Sequence, residues 1–438
     1  MPPLPPPAAP GRWSALARLS TGVFFTMAPW FSAAALLPQL RDRWALTDVA
    51  SSGLTLAVQL GFVLGAVLSA ALNLADRVTP QRLMLWGGLI AAATNLGLLL
   101  AGGLGTAAVL RALTGAALAL VYPAALKAMS AWFVTGRGVA LGVMVGGLTL
   151  GSALPHLING LGGASPRLVI VTTSVLAALG GLIAADVAEG PGRFPAAAFQ
   201  PAQAWRLLRG RGLQLATLGY LGHMWELYAM WAWCAAFFTE VLPHHVAGGH
   251  REAALATFAV VGIGALGCGL GGVLGDRWGR TRLVLLALSC SGGCALVLAG
   301  LLLAHAPPLA LLAVSLVWGF WIIADSAQFS AITSEISDPA YVGTALTAQL
   351  GLGYTLTAVS IALVPVLERA GGWPAVFAVL ALGPAVGGVA IHRLSRRAEA
   401  RRIAGGRRLK APHGSDRRVH PAALVTLWPT VPVEAPAA

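Results

Sequence analysis

The sequence predicts an all-α membrane protein with twelve transmembrane helices in two pseudo-symmetric six-helix bundles. Three observations carry that prediction. Of 438 residues, 57% are hydrophobic and only 10% are charged, and the mean hydropathy is +0.76. A soluble domain carries about 25% charged residues. The apolar residues gather in runs of about 20, the length a helix needs to cross a bilayer. The second half of the chain also repeats the first.

The first-half spans are read at 17–40, 50–73, 82–102, 104–126, 138–160 and 167–187. The second-half spans are read at 213–239, 253–275, 282–304, 307–331, 342–367 and 373–393. Span 1 follows a Pro-rich stretch, Met1 to Gly11, without the layout of a signal peptide, so it is expected to be retained. Spans 2 and 3 are joined by a charged knot, Leu72-Asn73-Leu74-Ala75-Asp76-Arg77-Val78-Thr79-Pro80-Gln81-Arg82. Spans 8 and 9 are joined by its fuller twin, Gly272-Val273-Leu274-Gly275-Asp276-Arg277-Trp278-Gly279-Arg280-Thr281-Arg282. Lys127 and Arg137 flank the boundary between spans 4 and 5 as interfacial anchors. The loop 188–212 holds Pro191, Pro195, Pro201 and four arginines, and it divides six spans from six. The domain reading is a disordered N-terminus at 1–16, a bundle at 17–187, a linker at 188–212, a bundle at 213–393 and a disordered basic tail at 394–438. Pro29, Pro38, Pro123, Pro155 and Pro384 are placed to kink helices.

The halves match at offsets of 197 to 205 residues. Asp76 aligns with Asp276. Gly22, Met27 and Phe31 align with Gly219, Met224 and Tyr228, and Gly138-Val139-Ala140-Leu141 aligns with Gly343-Thr344-Ala345-Leu346. Parallel repeats of this kind put a solute site near the bilayer midplane between the halves.

The formal net charge is +13, and ten of the 29 Lys/Arg lie between Arg393 and Arg418. Before that tail, 13 fall on the N-terminal side of the membrane and five on the other, which predicts both termini inside. This is a topology signal, so no nucleic-acid partner is expected. The expected partners are the lipid bilayer and a small-molecule or ion substrate of a monomeric protein, in a bacterial inner membrane. Cys234, Cys268, Cys290 and Cys294 fall in apolar runs and read as core residues. No cofactor and no metal site are expected. With no P-loop, HExxH, CxxC or GxSxG present, neither is an enzymatic activity.

A charge at the bilayer centre costs about 2.5–3.5 kcal/mol, so each intramembrane polar residue requires a reason. On span 10, Trp318, Trp321, Asp325, Gln328 and Glu335 fall on one helical face. That face reads as a cavity wall with a protonatable Asp325, or as a packing face; Glu335, near the inner end, reads as a cap or gate. On span 7, His223 and Glu226 lie one turn apart in a stripe with Gly219, Met230 and Trp233. They are placed to share a proton, or to form a static hydrogen-bonded pair. Span 5 aligns Thr149, Ser152, His156 and Asn159. Span 4 aligns Arg111, Thr114, Gly115 and Tyr122. Arg111 cannot shed its charge and needs a carboxylate, backbone carbonyls or an anionic solute. Trp30, Trp225, Trp231, Trp233, Trp318 and Trp321 lie within spans, where they line a cavity or fill the core. Span 2 adds Gln59.

At this point the chain resembles the major facilitator superfamily of transporters. Gly272 to Arg282 resembles that superfamily's signature loop, G-x-L-x-D-R-x-G-R-x-R. The first copy departs at Leu72 and at Thr79-Pro80. Arg111-Ala112-Leu113-Thr114-Gly115 resembles a second family motif. Gly142, Gly146, Gly147 and Gly151 resemble a third, with Pro155 later than in antiporters. The resemblance covers residues 12–393. It implies alternating access, with the loop aspartate pairing with arginines and a helix N-terminus. The implied gate is Asp276, Arg277 and Arg280, with Asp76 and Arg77 in the first copy. Within the superfamily the layout is similar to the nitrate/nitrite and cyanate porters. Nitrate porters carry arginines on spans 2 and 8, where this chain has Gln59 and no basic residue. The expected function is secondary transport of a small solute, with protons coupled through His223, Glu226 and Asp325. The other readings are an anion porter or facilitator using Arg111, and a non-transporting receptor on a transporter fold.

Overall fold

A computed structural model describes residues 10–133, 136–162, 165–192, 210–242, 249–338 and 341–404. All regular secondary structure among them is helical. Nine helical stretches among the described residues are long and apolar enough to cross a membrane. The first half comprises α1 (Arg12–Thr26), α2 (Ser32–Ala35), α3 (Leu37–Trp44), α4 (Asp48–Ala71), α5 (Leu74–Arg77), α6 (Pro80–Leu96), α7 (Leu104–Leu118), α8 (Tyr122–Trp132), α9 (Arg137–Leu161) and α10 (Pro166–Ala185). The second half comprises α11 (Arg211–Val241), α12 (Gly249–Gly262), α13 (Gly264–Trp278), α14 (Arg280–Leu303), α15 (Pro308–Trp321), α16 (Ser326–Ile336), α17 (Val342–Leu380) and α18 (Leu382–Ser395). α17 is broken at Gly371 and Gly372, where Gly372 has φ +67°, a left-handed conformation that glycine adopts without penalty.

Several predicted spans are not single helices, and the breaks have local causes. Span 1 stops at Thr26 and resumes at Ser32, with a turn over Met27–Phe31 around Pro29. Proline lacks an N–H and cannot continue the helical ladder. Span 4 breaks between Leu118 and Tyr122, because Pro123 cannot donate to the carbonyl four residues earlier. Span 10 breaks over Ile322–Asp325 with no proline. Short i→i−3 bonds from Ala324 to Trp321 and from Ser326 to Ile323 tighten the turn. Pro38 and Pro123 sit in the first turn of α3 and α8, and Pro155 lies inside α9. Thr47 caps α4 and Ser165 caps α10, each accepting a backbone N–H with its side chain.

Within the first half, α4 packs on α7, α6 on α10, and α1 on α9 and α10. Within the second, α11 packs on α17 and α18, and α14 on α15 and α18. The halves meet along two seams, α9 against α12 and α13, and α4 against α17. Small residues allow this closeness in place of a hydrophobic driving force. A Cβ at Gly115 of α7 would collide with the Val58 carbonyl of α4, and one at Gly142 of α9 with the Cys268 carbonyl of α13.

Of the basic segment expected to be disordered from 394 onward, residues 394–404 are among the described residues. Residues Ala398–Arg402 form a short 3-10 turn, and Ala400 and Ile403 are buried. Residues 405–438 and 193–209 lie outside the described residues.

Candidate functional site

Rings from both halves meet at the centre of the molecule. Trp30 and Phe31 from the break after α1, Phe62 from α4, Tyr228 and Trp231 from α11, and Tyr354 from α17 form one continuous cluster. Phe62 and Tyr354 have centroids 4.5 Å apart, and Trp30 lies 4.9 Å from Phe62 and 6.0 Å from Tyr228. The Tyr228 and Tyr354 hydroxyls are 2.9 Å apart and share one hydrogen bond. Trp30 Nε1, Trp231 Nε1 and both amide atoms of the buried Gln59 have no hydrogen-bond partner among the described residues. Buried polar groups are nearly always paired, so these donors and acceptors are open to a partner. Trp30 and Gln59 were legible in the sequence. Phe62 and Tyr354 were not, because an aromatic residue in an apolar run carries no periodic signal; Tyr228 showed only as the repeat partner of Phe31.

Arg111 takes the second of its three possible partners, backbone carbonyls. Its Nη1 donates to the Pro29 carbonyl at 2.7 Å and to Ser32 Oγ at 3.2 Å, and its Nη2 donates to the Trp30 carbonyl. The break after α1 turns these carbonyls toward α7, where the Pro29 carbonyl also accepts from the Ser32 N–H, and a five-donor guanidinium suits them. Ser32 Oγ donates in turn to Asn95 Oδ1 at 2.7 Å, and Asn95 Nδ2 donates to Thr173 Oγ1 and Ser174 Oγ. Arg111 thus fastens the break to α7, and Ser32 and Asn95 link it on to α6 and α10. Arg111→Leu is expected to cost about 1–3 kcal/mol of stability, by orphaning the buried Trp30 carbonyl. Thermal unfolding in detergent checks this; loss of solute binding with unchanged stability would instead assign Arg111 to the solute.

In the second half the polar residues pair differently from the sequence reading. His223 Nδ1 lies 2.9 Å from Asp325 Oδ1, with side chains 0% and 1% exposed. The atoms meet off the hydrogen-bond axis, and neither side chain has a hydrogen-bond partner among the described residues. The His223 ring packs on Tyr220 and Phe329, with centroids 6.2 and 5.3 Å away. Glu226 does not pair with His223. Its Oε1 accepts from Ser291 Oγ at 2.6 Å and its Oε2 from Trp318 Nε1 at 3.2 Å. One helical turn put His223 and Glu226 on a common stripe, but the two side chains reach different neighbours: the α15–α16 break, and the faces of α14 and α15.

The single face expected on span 10 is also divided, because the break at Ile322–Asp325 resets the helical phase. Trp318 faces Glu226, Asp325 faces His223, and Gln328 and Glu335 face the gate. Trp321 is half-buried and packs edge-on against Phe320, 5.2 Å away. Trp233 is half-buried and donates to the Ile361 carbonyl at 3.0 Å. Trp233 and Trp318 line a small apolar pocket with Met230, Phe237, Trp373 and Phe377. That pocket lies inside the second half, not between the halves. Tyr122 is half-buried at the start of α8. His156 is buried on α9, and its Nδ1 is unpartnered among the described residues.

The loop Gly272–Arg282 forms a cluster where α9, α13, α14 and α16 meet. A Cβ at Gly138, in the first turn of α9, would overlap the Asp276 carboxylate. Asp276 therefore sits against a helix N-terminus, which carries a partial charge of about +0.5. Arg280 Nη1 lies 3.7 Å from Asp276 Oδ1 and donates to Gln328 Oε1 at 2.8 Å; its Nε donates to Glu335 Oε1 at 2.9 Å. Gln328 Nε2 donates to the Gly271 carbonyl. Gln328, expected on the solute pathway, thus belongs to this cluster. Arg277 and Arg77 are exposed, and the side chain of Asp76 lies outside the described residues.

A helical body with apolar spans, buried unpaired polar groups and a charged cluster against the α9 N-terminus has the parts of a membrane transporter. The family profile of the Major Facilitator Superfamily matches residues 19–365. The chain belongs to that superfamily and is an integral, multi-pass membrane protein. The match carries no branch name, so the likeness to nitrate/nitrite or cyanate porters gains nothing from it. No curated protein matches the chain.

Proposed function

We propose that this transporter is a proton-coupled secondary transporter of a small solute, working by alternating access. The chain crosses a bacterial inner membrane twelve times as a monomer of two six-helix bundles, 17–187 and 213–393, with both termini cytoplasmic. The bundles rock about the seams α9/α12–α13 and α4/α17, the central aromatic cluster meets the solute, and the Asp276–Arg280 cluster closes the cytoplasmic side.

The observation that carries the coupling is the buried His223–Asp325 pair at a non-helical break. An intramembrane ionisable pair is expensive and by default functional. A break leaves the backbone free to change when the pair gains or loses a proton. Glu226, held by Ser291 and Trp318, is a second acid one turn away.

A thermal-stabilisation screen of the purified protein against organic acids, inorganic anions, amino acids and aromatic cations tests the site. One class is expected to stabilise the wild type, and Gln59→Leu or Tyr354→Phe at the central cluster to abolish that stabilisation. Stabilisation undiminished in both variants contradicts the assignment.

A further inference from the structure

We propose that the groove between α11 and α18 binds an anionic phospholipid of the cytoplasmic leaflet, and that this lipid holds residues 396–404 on the gate. The groove is walled by Leu215 and Leu218 of α11 and by Val386, Val389 and Ala390 of α18. Leu218, Val386 and Val389 are 41%, 49% and 53% exposed, so the groove opens outward to the bilayer. These walls offer an acyl chain apolar contact and no polar side chain.

The polar lining residue is Arg393, at the end where α18 leaves the membrane. Arg396, Arg401 and Arg402 follow it, all exposed. A guanidinium pairs with a phosphate in bidentate geometry. Basic residues just inside a span also attract anionic headgroups, worth about fivefold in affinity per residue. Apolar walls ending in a guanidinium match the order of parts in a phospholipid. The net positive charge selects an anionic one.

The same segment reaches the gate. Beyond Arg393, the buried Leu394, Ala400 and Ile403 turn the chain back onto the protein. Ala404 N–H donates to Glu335 Oε2 at 2.9 Å, and its carbonyl accepts from the Arg280 N–H at 3.2 Å. Glu335 and Arg280 are the pair beside Asp276. A headgroup on Arg393 and Arg396 neutralises the outward side of this strap and pins its start, so it favours the docked end.

The test uses the full-length protein in neutral detergent. It is titrated with dioleoylphosphatidylglycerol, dioleoylphosphatidylcholine or inorganic phosphate. Retained lipid is read by native mass spectrometry and docking by hydrogen exchange at the Ala404 amide. Phosphatidylglycerol is expected to be retained over phosphatidylcholine and to slow exchange at Ala404, while phosphate alone does neither. Arg393→Gln with Arg396→Gln is expected to weaken phosphatidylglycerol about fivefold per arginine. Leu218→Trp, which fills the groove and keeps every arginine, is expected to weaken it too. Equal retention of both lipids, an unchanged affinity in the arginine variant, or slowing of Ala404 by phosphate alone overturns the proposal.

Discussion

Gly272→Val is expected to push α9 off α13 and to open the cytoplasmic gate. A Cβ at Gly272 meets the Gly138 carbonyl and lies 3.2 Å from the Val139 Cα, so the obstacle is backbone that cannot swing aside. Overpacking of this kind costs about 1–3 kcal/mol. At about 2 kcal/mol the balance between closed and open gate moves roughly thirtyfold. Asp276→Asn removes the charge against the α9 N-terminus and the 3.7 Å pairing with Arg280, together worth about 1 kcal/mol, so its shift is expected to be about fivefold. Hydrogen exchange over the first turn of α9 separates the two: fast in Gly272→Val, intermediate in Asp276→Asn. Wild-type protection in both variants would deny the cluster a gating role.

Asp325→Asn is expected to uncouple transport from the proton gradient and leave the fold intact. Asparagine matches aspartate in shape but carries no exchangeable carboxyl proton, and it keeps a polar partner facing His223. One proton moving down one pH unit supplies about 1.4 kcal/mol, a tenfold accumulation of a coupled solute. The variant is expected to lose that tenfold accumulation in proteoliposomes and to retain exchange of solute at equal concentrations. Glu226→Gln keeps one acceptor oxygen but sets an NH2 against the donor of Ser291 or Trp318, and it removes a proton site, so its effect is expected to include lost stability. Accumulation at the wild-type level in Asp325→Asn would move the coupling elsewhere.

The fold class was legible because composition and the loop at Gly272–Arg282 both depend on short-range chemistry. The breaks at Pro29 and Pro123 were legible for the same reason, since proline acts on its own backbone. The break before Ser326 has no such residue. It rests against α13, where a Cβ at Gly271 would collide with the Ala324 carbonyl. An unbroken helix there would hold Trp318, Asp325 and Gln328 on one face, whereas the break turns them to three different neighbours. Spacing put His223 beside Glu226 correctly along α11. It carries no information on which way each side chain turns, and that was decided by α14, α15 and the break. Arg111 is the converse case: its permanent charge alone limits its partners to three kinds, and the carbonyls of Pro29 and Trp30 at the break select among them.

Uptake by wild-type protein in proteoliposomes, with a pH gradient imposed and then collapsed by a protonophore, tests the coupling most directly. The solute used is the one that stabilises the purified protein. Accumulation above the external concentration that follows the gradient and dissipates with it is the predicted result. Uptake that only equilibrates, and is unchanged when the gradient is collapsed, contradicts proton-coupled transport.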